Sequence, residues 1–220
     1  MMTASLPQIW KNGWPTDRDM SSKLQQRAVN TKRKILDAAI EKFAASGFAG
    51  TTVENISVAA GVNKQRIYAY FNSKQGLFEA ALLAVFQQIG MCSFEAVKRA
   101  AAQPEKLSFI MLEEFFRVHQ EHPELHRLLA WANLQENESV HILAGVRGRE
   151  NALLREIFED AVNRKLIIDI KFENWLFTLL ALSCFYYSNL RTMQYTHDPA
   201  MTDTAWKNAL ISDAVRMFLP

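Results

Sequence analysis

The residues best suited to recognition chemistry lie between Asn63 and Phe78, in the stretch NKQRIYAYFNSKQGLF. Lys64, Gln65 and Arg66 place three hydrogen-bond donors side by side. Arginine can donate two parallel hydrogen bonds to guanine, and glutamine pairs in a bidentate way with adenine. Two tyrosines and a lysine follow, and their hydroxyl and ammonium groups suit phosphate oxygens. The stretch is therefore either a buried amphipathic helix with a basic end or a helix that lies on nucleic acid.

The charge distribution favours nucleic acid. The formal net charge of the chain is only +2. Residues 23–80, however, hold nine basic and four acidic side chains, a balance of +5, whereas residues 81–220 hold 14 basic and 17 acidic side chains, a balance of −3. A basic N-terminal third beside an acidic remainder indicates that one module binds a polyanion.

Periodicity and turn residues predict the elements that hold this stretch. Apolar residues at three- and four-residue spacing from Thr31 onward predict a first helix, which Gly47 ends. Thr51 with Glu54 three residues later forms a capping box that begins a second helix. Gly61 ends the second helix, and Asn63 caps the third. Two short helices joined by a tight glycine-containing turn are a helix-turn-helix.

The segment from Arg33 to Leu82 resembles the N-terminal DNA-binding domain of the TetR/AcrR family of transcriptional regulators. The resemblance rests on a phenylalanine before the end of the first helix, on GTT at the start of the second, on AAGV at the turn and on the pattern YxYFxSKxxLF. Asn63 stands where the family often has serine, and Gln65 and Arg66 replace a small and a neutral residue. These departures concern the operator sequence rather than the fold.

The recognition helix is predicted to begin at Lys64 and end near Phe71. Its N-terminal residues enter the major groove, so we expect Lys64, Gln65 and Arg66 to contact bases; the alternative for the two cations is phosphate contact. The resemblance implies that tyrosine hydroxyls bind the DNA backbone. The full set of predicted phosphate contacts is Lys32, Arg33, Thr51, Thr52, Tyr68, Tyr70 and Lys74, and a pure capping role is the alternative for Thr51.

The whole chain is predicted to be all-α. Eight glycines and six prolines in 220 residues are too few for a loop-rich β protein, and the longest apolar run, Trp175 to Tyr187, is shorter than the ~20 residues of a membrane span. We expect a flexible arm over residues 1–22, with Trp10 and Trp14 docked on the body or a neighbouring subunit. Two domains are expected after this arm. The first is a helix-turn-helix DNA-binding domain over residues 23–80, and the second is a larger helical ligand-binding and dimerisation domain over residues 81–220. With no secretory signal and two distant cysteines, Cys92 and Cys184, the chain is expected to be cytoplasmic.

The resemblance implies a ligand pocket and a dimer in the second domain. Aromatic residues with a few polar tips suit a small, partly apolar or aromatic effector, and the predicted lining is Phe86, Phe115, His119, Trp131, Trp175, Phe185 and Tyr186. Core filling is the alternative for every one of them. The last two helices should form the interface of a homodimer, with Trp175, Leu179, Leu182, Tyr186, Trp206, Leu210 and Val215.

The expected function is that of a ligand-responsive repressor. A dimer reads a palindromic double-stranded operator, because one helix-turn-helix spans too few base pairs. Ligand binding would shift the fourth helix, from Lys74 to Gly90, and change the spacing of the reading heads. No cofactor is expected. A DNA-binding regulator without a small-molecule ligand is the alternative.

Two other interpretations of the sequence carry less weight. His119, His122 and His126 have the spacing of a metal-binding helix face, but Pro123 breaks that register. The sequence contains no Gly-rich phosphate loop, GxSxG or HExxH motif, so catalysis is not predicted. The basic segment KLQQRAVNTKRK before the first helix is either a solvated leading helix or an arm that reaches the DNA backbone or minor groove.

Overall fold

The fold consists of helices throughout the part of the chain that a computed structural model describes, residues 17–134, 138–143, 146 and 148–220. No strand occurs within those residues, which confirms the all-α prediction. The α-helices are α1 (Asp17–Gly50), α2 (Val53–Ala60), α3 (Lys64–Phe71), α4 (Lys74–Ala102), α5 (Leu107–Glu121), α6 (Pro123–Leu134), α7 (Gly148–Asn163), α8 (Phe172–Thr196) and α9 (Thr204–Arg216). Short 3-10 turns lie at Pro104–Lys106, Glu138–Leu143 and Pro199–Thr202.

The helix-turn-helix is defined by local caps. The hydroxyl oxygen of Thr52 accepts from the backbone N–H of Asn55, 3.1 Å away, and so caps α2. The prediction that Thr51 is the cap is therefore wrong by one residue. Gly61 ends α2 with φ +63°, a left-handed conformation that glycine adopts without steric cost. Asn63 then caps α3 as predicted, because its side-chain oxygen accepts from the N–H of Gln65 at 2.7 Å.

A first apolar core joins the helix-turn-helix to the rest of the chain. Its members in the helix-turn-helix include Phe43, Ile56 and Ile67, all at most 1% exposed. The same cluster continues through Leu77 to Ile89 of α4 and takes in Leu128 of α6. Residues on both sides of the predicted domain boundary at 80/81 thus share one interior, so the two domains are packed as one body along α4 and α6.

A second core lies between α4, α5, α7, α8 and α9, with Trp175 at its centre. The indole is fully buried and packs beside Phe158, with ring centroids 4.9 Å apart. Its N–H donates to the hydroxyl of Ser108, which is also buried, at 3.0 Å. A buried indole N–H normally requires such a partner, so Ser108 allows a tryptophan at this position.

The first helix begins earlier than the sequence indicates. Periodicity predicts helix from Thr31, whereas α1 begins at Asp17, so the end of the expected arm at residues 17–22 is helical. Residues 1–16, with Trp10 and Trp14, lie outside the described residues. The regular helical backbone of α1 is interrupted at Gly47, where φ is +69° and ψ is −178°. The predicted stop at Gly47 is thus a kink, after which the helix continues to Gly50.

Two further features bear on the environment of the chain. Within the described residues no helix is both long and apolar enough to cross a membrane. Cys184 is a free thiol on α8, and the side chain of Cys92 lies outside the described residues.

The Trp175–Ser108 hydrogen bond predicts a stability effect. Ser108→Ala would leave the indole N–H buried without an acceptor, so we expect the free energy of unfolding to fall by about 1–3 kcal/mol. Chemical denaturation measures the change. The matched control is Ser46→Ala at an exposed position of α1, which should stay within about 0.5 kcal/mol of the parent. Equal effects for the two variants would contradict the role of Ser108.

Candidate DNA-binding surface and ligand cavity

The third helix has one buried face and one exposed face. Ile67 and Phe71 are 1% and 6% exposed and fix α3 against the first core. Gln65 and Arg66 are exposed on the opposite side. The capping of Asn63 fixes the direction in which the helix begins, so these two side chains project from its first turn. An N-terminal turn with donors on the outside has the geometry that major-groove reading requires.

Lys64 differs from its two neighbours because it already has a partner. Its ammonium forms an ion pair and hydrogen bond with the carboxylate of Glu54 on α2. The hydrogen bond from Lys64 lowers the pKa of Glu54, and the same bond raises the pKa of Lys64. Both groups are exposed to solvent, where such a pair is weak. To contact DNA, Lys64 would therefore only have to exchange the Glu54 carboxylate for a hydrogen-bond acceptor on the DNA.

Most of the predicted phosphate contacts are accessible. Tyr68 is 39% exposed, Thr52, Lys32 and Arg33 are exposed, and Tyr70 and Lys74 are partly buried. The Lys74 ammonium lies 4.4 Å from the centroid of the Phe48 ring, and that of Lys32 lies 5.7 Å from the Phe71 ring. These cation–π contacts hold both ammonium groups beside the helix-turn-helix core without neutralising their charge.

Thr51 does not belong to this set. It is 2% exposed, and its hydroxyl donates to the backbone carbonyl of Lys42 at 3.0 Å. Burial and that hydrogen bond tie the second helix to α1 and keep the hydroxyl away from solvent. The prediction of a phosphate contact at Thr51 is therefore corrected to a structural role.

An apolar cavity of about 340 Å³ lies between α4, α5, α6 and α8. Its lining is aliphatic and aromatic apart from His119 and the thiol of Cys184. Three of the predicted pocket residues meet there, Phe86, Phe115 and His119. The other lining residues are Ile89, Val118, Leu125, Leu129, Phe177, Leu180, Ala181 and Cys184.

Four predicted pocket residues lie elsewhere. Trp175 is enclosed in the second core, and Phe185 is 56% exposed on α8. Tyr186 is buried, and its hydroxyl donates to the carbonyl of Met201. Trp131 lies against α1 at Gly47. Trp175 and Tyr186 are core residues and Phe185 is exposed, because aromatic residues recur at helical spacing in cores and on surfaces alike and the sequence does not tell which face of a helix borders a cavity.

Trp131 forms a close contact with α1 at Gly47. A Cβ atom built on Gly47 would lie 2.6 Å from the Cδ2 atom of the indole, well inside van der Waals contact. The backbone of Gly47, with φ +69° and ψ −178°, is in a region that only glycine adopts readily. Both observations require glycine here. The contact joins α1 of the helix-turn-helix to α6, which also lines the cavity.

A larger cavity of about 690 Å³ lies between α4, α5 and α9. Its walls carry charged groups that are already paired. The carboxylate of Glu114, with 3% of its side chain exposed, accepts two hydrogen bonds from Arg117, and the guanidinium of Arg99 lies 3.8 Å away. The pattern of paired charges is that of a structural network between helices, whereas the smaller apolar cavity has the lining expected of a ligand site.

The three histidines of the sequence pattern do not converge on one point. The ring centroids of His119 and His126 are 6.2 Å apart, whereas Nδ1 of His122 lies 3.1 Å from the Glu124 carboxylate. Burial lowers the pKa of His126. Among the residues described, no group of three or more His, Cys, Asp or Glu side chains could hold a metal ion.

The predicted dimer residues pack against the protomer's own second core. Trp175 and Leu179 are fully buried and Tyr186 is 5% exposed, so the prediction of an interface role is corrected to a core role for these three. The remaining four, Leu182, Trp206, Leu210 and Val215, are partly buried against the same core. The large apolar side chains that α8 exposes are Phe177, Phe185 and Tyr195, at 72%, 56% and 83%.

Several candidate residues carry little signal in the sequence. Leu125, Leu129, Leu180 and Ala181 line the cavity, but small and aliphatic residues do not distinguish a cavity wall from packed core. Phe177 carries no clearer signal, because its place two residues from Trp175 sets it on another face of the helix without telling which face borders the cavity.

Comparisons with known proteins agree with this architecture. Residues 35–81 match the family model described as bacterial regulatory proteins, tetR family, and residues 110–217 match the one described as tetracyclin repressor-like, C-terminal domain. Together the matches cover the helix-turn-helix and most of the cavity-bearing helices.

The chain is also similar to individual proteins of known sequence or structure. The HTH-type transcriptional repressor NicS of Pseudomonas putida is 28% identical over 169 residues, 76% of this chain and 79% of its own. The HTH-type transcriptional repressor SCO4008 of Streptomyces coelicolor is 29% identical over 154 residues, 70% and 76% of the two chains. The crystal structure of SCO4942 from Streptomyces coelicolor superposes with a TM-score of 0.65 at 25% identity, over 86% of this chain and 98% of that one.

The Gly47–Trp131 contact predicts unequal effects of two glycine substitutions. Gly47→Ala meets both the indole and an unfavourable backbone, so the free energy of unfolding should fall by about 2 kcal/mol or more. Gly61→Ala is the matched control: φ is also positive, but no atom lies within 4 Å of its Cβ position, and it should cost about 1–2 kcal/mol. Chemical denaturation of both variants measures the difference.

A double-mutant cycle measures how much of the destabilisation by Gly47→Ala comes from the conflict with the Trp131 indole. In a Trp131→Leu background, Gly47→Ala should cost less than in the parent, because the backbone strain remains but the steric conflict is relieved. An unchanged cost in the two backgrounds would show that the indole does not restrict this position.

Proposed function

The chain belongs to the TetR family of bacterial regulatory proteins and is a DNA-binding transcriptional regulator, and from this premise we propose a dimeric repressor that a small apolar or aromatic molecule releases from a palindromic operator. The family and the matched relatives are regulators rather than enzymes.

The proposal that the protein binds DNA rests on the two different faces of α3, one buried and one exposed. Its inner residues are buried in a core, while Gln65 and Arg66 project from a capped first turn into solvent. We assign base reading to Gln65 and Arg66, joined by Lys64 once its bond to Glu54 is exchanged. An arginine or glutamine in bidentate contact contributes about 1–3 kcal/mol of discrimination against the wrong base.

The phosphate contacts proposed here come from four helices around this surface. Thr52 stands at the start of α2 and Lys74 at the start of α4, where backbone N–H groups and the helix dipole also favour anions. Tyr68 and Tyr70 add hydroxyl donors on α3 itself. Lys32 and Arg33 complete the set on α1. Such contacts fix the orientation of the protein on the duplex and carry no base preference of their own.

Dimerisation is assigned to the exposed side of α8. Phe177 and Tyr195 are 72% and 83% exposed and lie on the same side of the helix, with Phe185 between them along the axis. Phe185, eight residues after Phe177, lies about 80° further round the helix, so the three rings form a broad patch, and a large exposed apolar patch is typical of a surface that a partner covers. A second copy related by a two-fold axis would bring two reading heads to one face of the duplex, as a palindromic operator requires.

Effector binding is assigned to the 340 Å³ cavity. An apolar lining with His119 as a hydrogen-bonding group suits a small, largely uncharged molecule. Two walls of the cavity, α4 and α6, also pack against α1. A ligand that binds more tightly when α4 and α6 are spaced differently would therefore shift the position of the helix-turn-helix. Release from DNA requires that the ligand and the operator favour different states of the protein.

DNA selection tests the first part of the proposal. Purified protein should enrich a palindrome from random duplexes at near-physiological salt, with half-sites one or more helical turns apart. Arg66→Ala should lose about 1–3 kcal/mol at one base position and relax preference there. Lys74→Ala should weaken binding to all sequences alike and reduce the salt slope by about 1 per protomer. An equal loss at every sequence for both variants would contradict base reading by Arg66.

A thermal-shift screen tests the effector. A specific ligand from a library of small aromatic and aliphatic compounds, at 100 times its dissociation constant, should stabilise the protein by about 2.7 kcal/mol. Ala181→Phe would fill the cavity and abolish the shift, whereas Ala101→Phe, at an exposed position of α4, would keep it. A response that survives Ala181→Phe would place the ligand elsewhere, and no response across the library would favour a regulator without a small-molecule ligand.

A further inference from the structure

The N-terminal half of α1 is largely solvated wherever the structure describes its side chains. From Gln25 onward the first fully buried side chain is Ile35, and most side chains from Gln25 to Lys34 are exposed, including Val29 at 56%. An isolated helix of this length is marginal in water. Only Ala28 and Thr31 in this segment are partly buried, and a helix so largely exposed needs either internal ion pairs or a partner surface to be stable.

The composition of this segment identifies the chemistry of the partner. From Met20 to Leu36 the sequence contains five basic residues and no aspartate or glutamate. Within the side chains that the structure describes, Arg27, Lys32 and Lys34 form no ion pair with a carboxylate, and Arg33 has only a 3.9 Å contact with Asp37. A helix with unneutralised cations and no carboxylate is complementary to a polyanion.

The position of the segment puts that charge next to the operator. The Lys32 ammonium lies over the ring of Phe71, the last residue of the recognition helix. The remainder of α1 continues from this point toward Asp17 without a break in the helix. Residues 17–34 span about 27 Å at 1.5 Å per residue, the length of about eight base pairs at 3.4 Å each.

From these observations we propose that the N-terminal half of α1 binds the phosphate backbone of duplex DNA outside the half-site that α3 reads. The proposal rests on the proposed function, because α3 must first bring the segment to the duplex. The helical form decides which part of the DNA it contacts. A helix with its side chains is about 10–12 Å across, whereas the minor groove is about 6 Å wide. The segment therefore lies along the backbone and does not read bases from the minor groove.

Duplex length separates this contact from those of the helix-turn-helix. The probes are the palindrome selected from random DNA, cut at the outermost base pairs of its half-sites, and the same palindrome with about ten flanking base pairs of arbitrary sequence on each side, roughly one helical turn. The wild-type protein should bind the longer duplex more tightly. Arg27→Ala should bind the short duplex like the wild type and show a smaller increase in affinity on the long one.

The salt dependence gives the size of the effect. Removing one phosphate contact per protomer reduces the slope of log K against log salt by about 0.9, or by about 1.8 for a dimer. On the long duplex, the advantage of the wild type over Arg27→Ala should therefore shrink by on the order of tenfold between about 50 and 200 mM salt. Arg164→Ala, which removes the same charge one residue after the end of α7, is the matched control and should not change the gain in affinity that the flanks give.

A second variant tests the helix itself. Ala28→Pro keeps every charge but interrupts the helix before the first core begins, so it should remove the benefit of the flanks and leave binding to the short duplex intact. The proposal is overturned if flanks do not increase affinity, if Arg27→Ala weakens both duplexes equally, if Arg164→Ala acts like Arg27→Ala, or if Ala28→Pro keeps the full benefit. Failure of the wild type to select any DNA would overturn the proposed function, and this inference with it.

Discussion

The apolar core that α1–α4 share with α6 is the constraint on which the rest of the molecule depends. A unit of α1, α2 and α3 alone would bury only a small core and would be marginally stable. Here Phe43, Ile56 and Ile67 are enclosed together with residues of α4 and with Leu128 of α6. The orientation of α3 is therefore set by packing that includes walls of the 340 Å³ apolar cavity. Packed interiors exchange between discrete arrangements more readily than they deform continuously.

The fourth helix connects this core to the second one. Its N-terminal half, from Leu77 to Ile89, belongs to the interior around the helix-turn-helix, and its C-terminal half contributes Ala96, Val97 and Ala100 to the interior around Trp175. Near the second end, Arg99 reaches toward the buried carboxylate of Glu114, which Arg117 also holds. Removing one partner from such a buried ion pair is costly, because it leaves an uncompensated charge. The helix is thus anchored at both ends and can transmit a displacement between them.

The sequence predicted the helix-turn-helix more accurately than the second domain, for a physical reason. Caps, turns and a glycine with positive φ are decided by residues within a few positions of one another, so Asn63 and Gly61 could be assigned directly. The error at Thr51 was one residue, because two adjacent threonines offer the same hydroxyl and only tertiary packing buries one of them. Cavity walls and interfaces depend on how helices rotate about their axes, so the sequence alone does not tell that Trp131, Trp175 and Phe185 lie away from the 340 Å³ apolar cavity.

The contact between Glu54 and Lys64 has a consequence for the balance between sequence-independent and sequence-specific binding. A chromosome offers about 10⁶–10⁹ competing sites, each held mainly through phosphates. If Lys64 contacts DNA as proposed, the Glu54 carboxylate would compete with DNA phosphates for its ammonium group and so weaken phosphate contact by this residue. Under the proposed assignment, the guanidinium of Arg66 and the amide of Gln65 would make base contacts at the correct sequence that arbitrary sites do not supply. The pair would therefore lower the share of the binding free energy that comes from sequence-independent phosphate contact, and because the pair is exposed and weak that change would be small.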